Sequence, residues 1–200
     1  MDFAAKHEID RFDKQQIPWR RMFTAYGTAE NDCEYLSVLE QTLDVQEWKK
    51  TFRKLSDFEH QSTFFPPAPF ALVFLVRILQ KRLQDGNADE IVELLTDQLL
   101  YYADLCSNAE QMEHAQPLDS FSKLLDDRYL LPEDYTEEDL FEVFDNPEAI
   151  SDELFYSFYY YAGIVLSQVP DILDQHGIFP EKSKAFRDRT ARTNQEKKSE

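Results

Sequence analysis

Cysteine, glycine and basic residues are all scarce in this chain of 200 residues, which has two Cys, four Gly, and 21 Lys and Arg against 39 Asp and Glu. Cys33 and Cys106 alone cannot build a disulfide framework or a four-cysteine zinc site, and their low number points to a reducing, cytoplasmic setting. The net charge of −18 argues against attraction to nucleic acid or to an anionic membrane surface and favours a basic protein partner. With so little glycine there is no Gly-rich phosphate loop, and neither G-x-S-x-G nor H-E-x-x-H occurs, so no enzyme activity and no cofactor are expected. Long apolar runs are missing too. MDFAAKHEIDRFDK is charged throughout, and the longest apolar run, Phe70 to Val76, is too short for a bilayer span.

What is present is apolar and aromatic: 42% hydrophobic and 14% aromatic residues suffice for one domain's core. No window shows the alternation of a half-buried strand, whereas several show helical spacing, so the chain reads as all-α. In EWKKTFRKLSDF, Trp48, Phe52 and Leu55 fall at i, i+4 and i+7. Residues 70–79 leave only Arg77 polar, which predicts a central helix covered on most sides. Ile91, Leu94, Leu95, Leu99 and Tyr102 form the next stripe, after a turn at Asp85-Gly86-Asn87, and the two helices are expected to make an antiparallel hairpin. Thr136-Glu137-Glu138-Asp139 is a helix start, followed by Leu140, Phe141, Val143 and Phe144. Ser151-Asp152-Glu153 opens a longer helix carrying Phe155, Phe158, Tyr159, Ala162, Val165 and Leu166, expected to end near Pro170. Residues 1–180 read as a single helical domain and 181–200 as a flexible, mildly basic tail.

HQSTFFPPAPFALVFLVRIL, residues 60–79, sets polar residues, two Phe and three Pro directly before the most hydrophobic run. Pro66, Pro67 and Pro69 suit the first turn of a buried helix, where a missing N–H costs nothing. His60, Gln61, Ser62 and Thr63 are expected to satisfy the remaining backbone groups of a tight turn that the Phe pair anchors to the core. His60 has a second reading as a contact residue, and an enzyme centred on His60 and Tyr26 is the corresponding alternative class.

The same residues resemble a motif of bacterial HEAT-like helical-repeat proteins, in which His-Gln-Gly-Thr precedes Tyr, Pro-Ala-Thr and Pro-Phe-Leu, with Trp and Ala-Tyr-Gly upstream. Trp19, Ala25, Tyr26, Gly27, His60, Gln61, Thr63, Pro66, Ala71, Phe74 and Leu75 match, while Ser62, Phe65, Ala68 and Val73 depart from the pattern. The resemblance spans about residues 19–80. It implies helix hairpins stacked as a short α-solenoid, beside the alternative of an irregular bundle, and a structural turn built from Tyr26, Gly27, His60, Gln61, Thr63 and Pro66. It also implies kinship with components of toxin–immunity loci.

Between Asp119 and Glu153 thirteen acids face only Lys123 and Arg128, a local balance of −11 within the chain's −18. Asp126, Asp127, Glu133, Asp134, Tyr135, Glu137, Glu138, Asp139 and Glu142 are the candidate partner-binding residues, acids interleaved with aromatics as a basic partner requires. The alternative for this block is a solvated face that keeps the protein soluble. Glu110 and His114, at i, i+4, are the best metal candidate and lack further ligands, so no metal is expected. Cys33 beside Glu34 has no neighbouring base. The expectation is a non-enzymatic binding protein, an immunity protein that neutralises a cationic, nuclease-like toxin as a monomer or homodimer. A helical scaffold or regulatory subunit without a toxin partner, and an acidic nucleic-acid mimic, are the alternatives.

Overall fold

The computed structural model describes residues 3–108, 115–145 and 150–190. Within them the chain is an all-α bundle. Its helices are α1 Phe3–Ile9, α2 Asp32–Gln41, α3 Val45–Leu55, α4 Ala68–Gln84, α5 Glu90–Asn108, α6 Glu137–Asp145, α7 Asp152–Leu166, α8 Val169–His176 and α9 Pro180–Thr190. None is long and apolar enough to cross a membrane.

Helix α4 is the axis, with 13 of its 17 residues buried, and α2, α5, α7 and α8 pack around it. Pro67 caps it and Pro69 sits in its first turn, as expected from the Pro cluster. Its far end closes at Gly86, where φ is 81° and the Asn87 N–H donates back to the Arg82 carbonyl at 2.9 Å. The turn delivers α5 alongside α4 as the expected hairpin. Two arginines tie α4 to the N-terminal elements. Arg77 donates to the carbonyls of Ile9 and Phe12 at 3.0 and 2.6 Å, and buried Arg82 donates to those of Leu39 and Thr42 at 3.0 and 2.6 Å. These carbonyls lie at or beyond the ends of α1 and α2, where helical partners run out.

Helix α3 buries Trp48, Phe52 and Leu55, the spacing read from the sequence. Asp44 caps it, accepting from the Glu47 N–H at 2.7 Å. Ser151 caps α7 in the same way, accepting from the Leu154 N–H at 3.2 Å. Proline 170 does not end that helix: α7 stops at Leu166 and Pro170 lies in the first turn of α8, where the ring's fixed φ suits a helix start.

One core runs from Ala5 to Phe186. The expected flexible tail from residue 181 therefore needs correction. Residues up to Thr190 belong to α9, which packs on α5 and α8 and buries Ser183, Phe186 and Thr190. Residues 191–200 lie outside the described residues. The composition misled because a single Phe, with small residues beside it, suffices to dock a charged helix.

Two short antiparallel pairs interrupt the helices. Strands β1 Phe23–Thr24 and β2 Gly27–Thr28 join through Ala25-Tyr26, and β3 Glu59–His60 and β4 Thr63–Phe64 through Gln61-Ser62. Two-residue strands are too short for alternation to register, so the sequence hid them. Gln61 and Ser62 have φ of 50° and 66°, the twist of a tight hairpin normally made by Asn-Gly.

Candidate protein-docking site

The β3–β4 hairpin corrects the role expected of His60, Gln61, Ser62 and Thr63. These residues form a hairpin of their own, and the backbone groups beside it are satisfied by other side chains. The Tyr159 hydroxyl, reaching from α7, accepts from the Phe64 N–H at 3.0 Å and donates to the Ser62 carbonyl at 3.1 Å. Glu59 accepts from the Ser62 N–H at 2.8 Å. Pro66 is buried behind the hairpin, Gln61 is exposed, and Thr63 is half-buried.

His60 turns outward to the other hairpin instead. The Tyr26 hydroxyl lies 2.9 Å from His60 Nδ1, and the rings meet edge to face at 5.1 Å between centroids. The structure thus joins Tyr26 and His60, residues 34 apart that the sequence analysis grouped. Gly27, at φ 151°, lets the chain return directly after Tyr26. Tyr26 stands 70% exposed, held by an edge rather than by burial.

Segment 115–136 carries the acidic block onto this hairpin. Glu8 accepts from the N–H groups of Phe121 and Ser122, both at 3.0 Å, and Tyr161 and Ser157 of α7 hold Leu118 at its carbonyl and N–H, 2.5 and 2.8 Å away. Farther on, Arg21 donates to the Leu131 carbonyl at 2.6 Å, while the Leu131 N–H donates to the Arg21 carbonyl at 2.9 Å. These reciprocal bonds set the start of α6 beside the β1–β2 turn.

The predicted partner-binding residues then divide by task. Asp127 pairs with Arg21 at 2.8 Å, and Asp126 lies 3.3 Å from Lys123 and 3.7 Å from Arg128. Tyr135 is a strut: its hydroxyl is 3.3 Å from Thr28 Oγ1, and Arg20 lies over its ring. Asp139 accepts from the N–H and hydroxyl of Thr136 at 2.6 and 2.9 Å, a capping box, and the backbone hydrogen bond holds its carboxyl below the ordinary aspartate range. Glu133, Asp134, Glu137, Glu138 and Glu142 are exposed and join no ion pair among the described residues.

Phe141 stands beside them. It follows the start of α6 as read from the sequence and is 67% exposed, with Leu140 half-buried. Ala25, Tyr26 and Gly27 on one side and Glu137, Leu140 and Phe141 on the other line a cleft of about 470 Å³. Two exposed aromatics thus frame a largely apolar cleft with the unpaired Glu137 at its edge, an arrangement able to bury an apolar anchor and attract a cation. The sequence placed Phe141 among the aromatics interleaved with the acids, but not beside Tyr26, because spacing within one helix does not show which distant turn it meets.

Other chemistry among the described residues is sparse. No cluster of three metal-ligating side chains occurs among them, and Glu110 and His114 lie outside them. Cys106 is buried, which pushes its thiol up and away from thiolate chemistry; Cys33 is half-buried. None of the protein-family models, curated proteins or solved structures compared with the chain matches it.

Proposed function

We propose that this protein is a non-catalytic binding protein that engages a basic protein partner through the cleft between the Tyr26 turn and α6. One observation carries the reading: Tyr26 and Phe141, 70% and 67% exposed, share that cleft with Glu137, which belongs to a ten-residue run, 133–142, holding six acids and no Lys or Arg. Aromatic anchors supply the contact area of such a site, about 150–250 Å² when fully buried. The unpaired acids supply steering, which acts on the association rate before contact. A pure solubility device needs the charges and gains nothing from two aromatics held out in water.

The biological use we propose is immunity: neutralising a cationic toxin, nuclease-like in charge, in the cytoplasm, as a monomer or homodimer. Support comes from the motif resemblance at residues 19–80 and from the charge. For a HEAT-like stack, support comes from α2–α3, α4–α5 and α8–α9, which each pack as consecutive pairs, the unit from which such a stack is made.

Two variants test the reading. Glu133, Glu137, Glu138 and Glu142→Lys reverses the unpaired acids and spares the capping Asp139. Tyr26→Ser with Phe141→Ser removes the anchors. Capture from the native host by wild type, followed by expression of the captured protein with each variant, should yield a basic partner that both variants fail to hold or to neutralise. Equal binding and equal protection by both variants would overturn the proposal.

A further inference from the structure

The β1–β2 hairpin also borders a second cleft, of about 430 Å³, formed with the start of α2 and the end of α3. Thr24 and Thr28 line it from the hairpin, Asp32 and Tyr35 from α2, and Arg53 and Asp57 from α3 and the turn after it. Asp32 is only 4% exposed, and its Oδ2 is buried with no hydrogen-bond partner. A buried carboxyl oxygen without a donor is costly and calls for an explanation.

The surroundings say what kind of group would suit it. Glu30, Asp32, Glu34 and Asp57 all act on Tyr35, whose hydroxyl is pushed up by burial and then by these four acids. Burial and then Asp57 push the Asp32 carboxyl up to about 8; burial likewise raises Asp57, with His60 opposing. The cations here are Arg53 and Lys54, both exposed. Neither joins an ion pair among the described residues, and Lys54 Nζ instead lies 5.5 Å above the Tyr35 ring, so that ring face already accepts a cation.

We propose that this cleft is the receptor for a single guanidinium group, the side chain of an arginine presented by the basic partner. The source of that group rests on the docking reading above; the chemistry of the cleft does not. A guanidinium suits it better than an ammonium for three reasons. Its planar fork can bridge carboxyls offered by two different elements, its face stacks on tyrosine, and it is weakly hydrated and so enters a dry site more easily. Two carboxyls offer a metal ion too few ligands. Entry of the cation ionises Asp32, whose proton leaves to solvent, so affinity rises with pH up to the free carboxyl's own titration.

The test uses the full chain with ¹³C-labelled aspartate carboxyls at neutral pH, titrated separately with ethylguanidinium chloride, ethylammonium chloride and the peptide acetyl-Gly-Arg-Gly-amide. The expected result is a saturable shift of the Asp32 and Asp57 resonances with both guanidinium probes and a lowered Asp32 titration midpoint in the bound state. Binding should be about tenfold weaker or less for ethylammonium, and similarly weakened by Asp32→Asn, an isosteric change whose folding the same spectra verify. Reversal of Glu133, Glu137, Glu138 and Glu142 should leave probe binding intact, which separates this inference from the docking surface. The proposal is overturned by unsaturable shifts, or by equal affinity in Asp32→Asn and Asp57→Asn. It is also overturned if Arg53→Ala or Lys54→Ala moves the Asp32 resonance without probe, since the chain's own cation would then fill the place. Binding of ethylguanidinium but not of the peptide would overturn the partner's arginine as the source.

Discussion

Glu137 and Asp32 are each the first residue of a helix, α6 and α2, where an acid is favoured by the helix dipole. Their surroundings differ completely. Glu137 stands in water among other unpaired acids at the edge of an open cleft, whereas Asp32 is closed off beneath the β1–β2 hairpin, one oxygen unpartnered and its carboxyl pushed up to about 8. The chain's −18 counts them alike. Exposed acids project a field that reaches a partner before contact, and a buried acid offers a single strong interaction to whatever group enters. On this account the molecule recognises a basic partner in two stages, a field over α6 and a receptor at Asp32.

The strongest test of burial against charge lies in α9, which is as rich in charge as α6 and yet docks against the core. Phe186→Ala should destabilise by about 3–5 kcal/mol through the cavity it leaves, as urea unfolding would record; a change below about 1 kcal/mol would mean that α9 merely lies on the surface.

The Asp32 side of the comparison predicts a pH dependence of definite sign. Because the folded carboxyl titrates near 8 and the unfolded one near 3.8, the folded state holds the extra proton between those values. Stability should therefore fall as pH rises through that window, by roughly 1 kcal/mol per pH unit, and level off above it. Asp32→Asn should flatten this slope and be the more stable protein at pH 8. Chemical unfolding from pH 5 to 9 measures both, and a wild type whose stability rises across that range would break the contrast. Asp139 runs the other way: its depressed carboxyl contributes stability at neutral pH that is lost as pH falls through the lowered value, visible as a low midpoint in carboxyl NMR.

A smaller effect separates backbone strain from charge. Ser62 at φ 66° occupies a position where glycine is unstrained, so Ser62→Gly should stabilise by about 1 kcal/mol without altering any acid. A loss of thermal stability would mean that the serine side chain matters more than its φ. Smallest per residue, reversal of Glu133, Glu137, Glu138 and Glu142 to Lys should cost a few tenths of a kcal/mol each, mainly at Glu137 and Glu138, where a cation opposes the helix dipole, as urea unfolding would record.

The fold was legible where burial and period coincide. Trp48, Phe52 and Leu55, the continuous apolar run of α4 and the caps at Asp44 and Ser151 all follow from spacing and residue type. The hairpins were not legible, because two-residue strands carry no period and Gln-Ser is an unusual pair for their turn. The candidate site was half legible. Grouping Tyr26 with His60 came from a motif resemblance and the acidic block from counting, but nothing local shows that residues 26 and 141 share a cleft. Asp32 follows Asn31 like any first-turn acid, and its burial is decided by the hairpin folded over it.

The central claim is that charge on α6 steers a basic partner to the Tyr26–Phe141 cleft, and the association rate of the captured partner, measured against ionic strength, tests it most directly. For wild type the rate should fall steeply as salt shortens the Debye length from about 30 Å at 0.01 M to about 8 Å at 0.15 M. The four-lysine variant should associate more slowly at low salt and lose most of that salt dependence. A variant that associates as fast as wild type, with the same dependence on salt, would contradict the account.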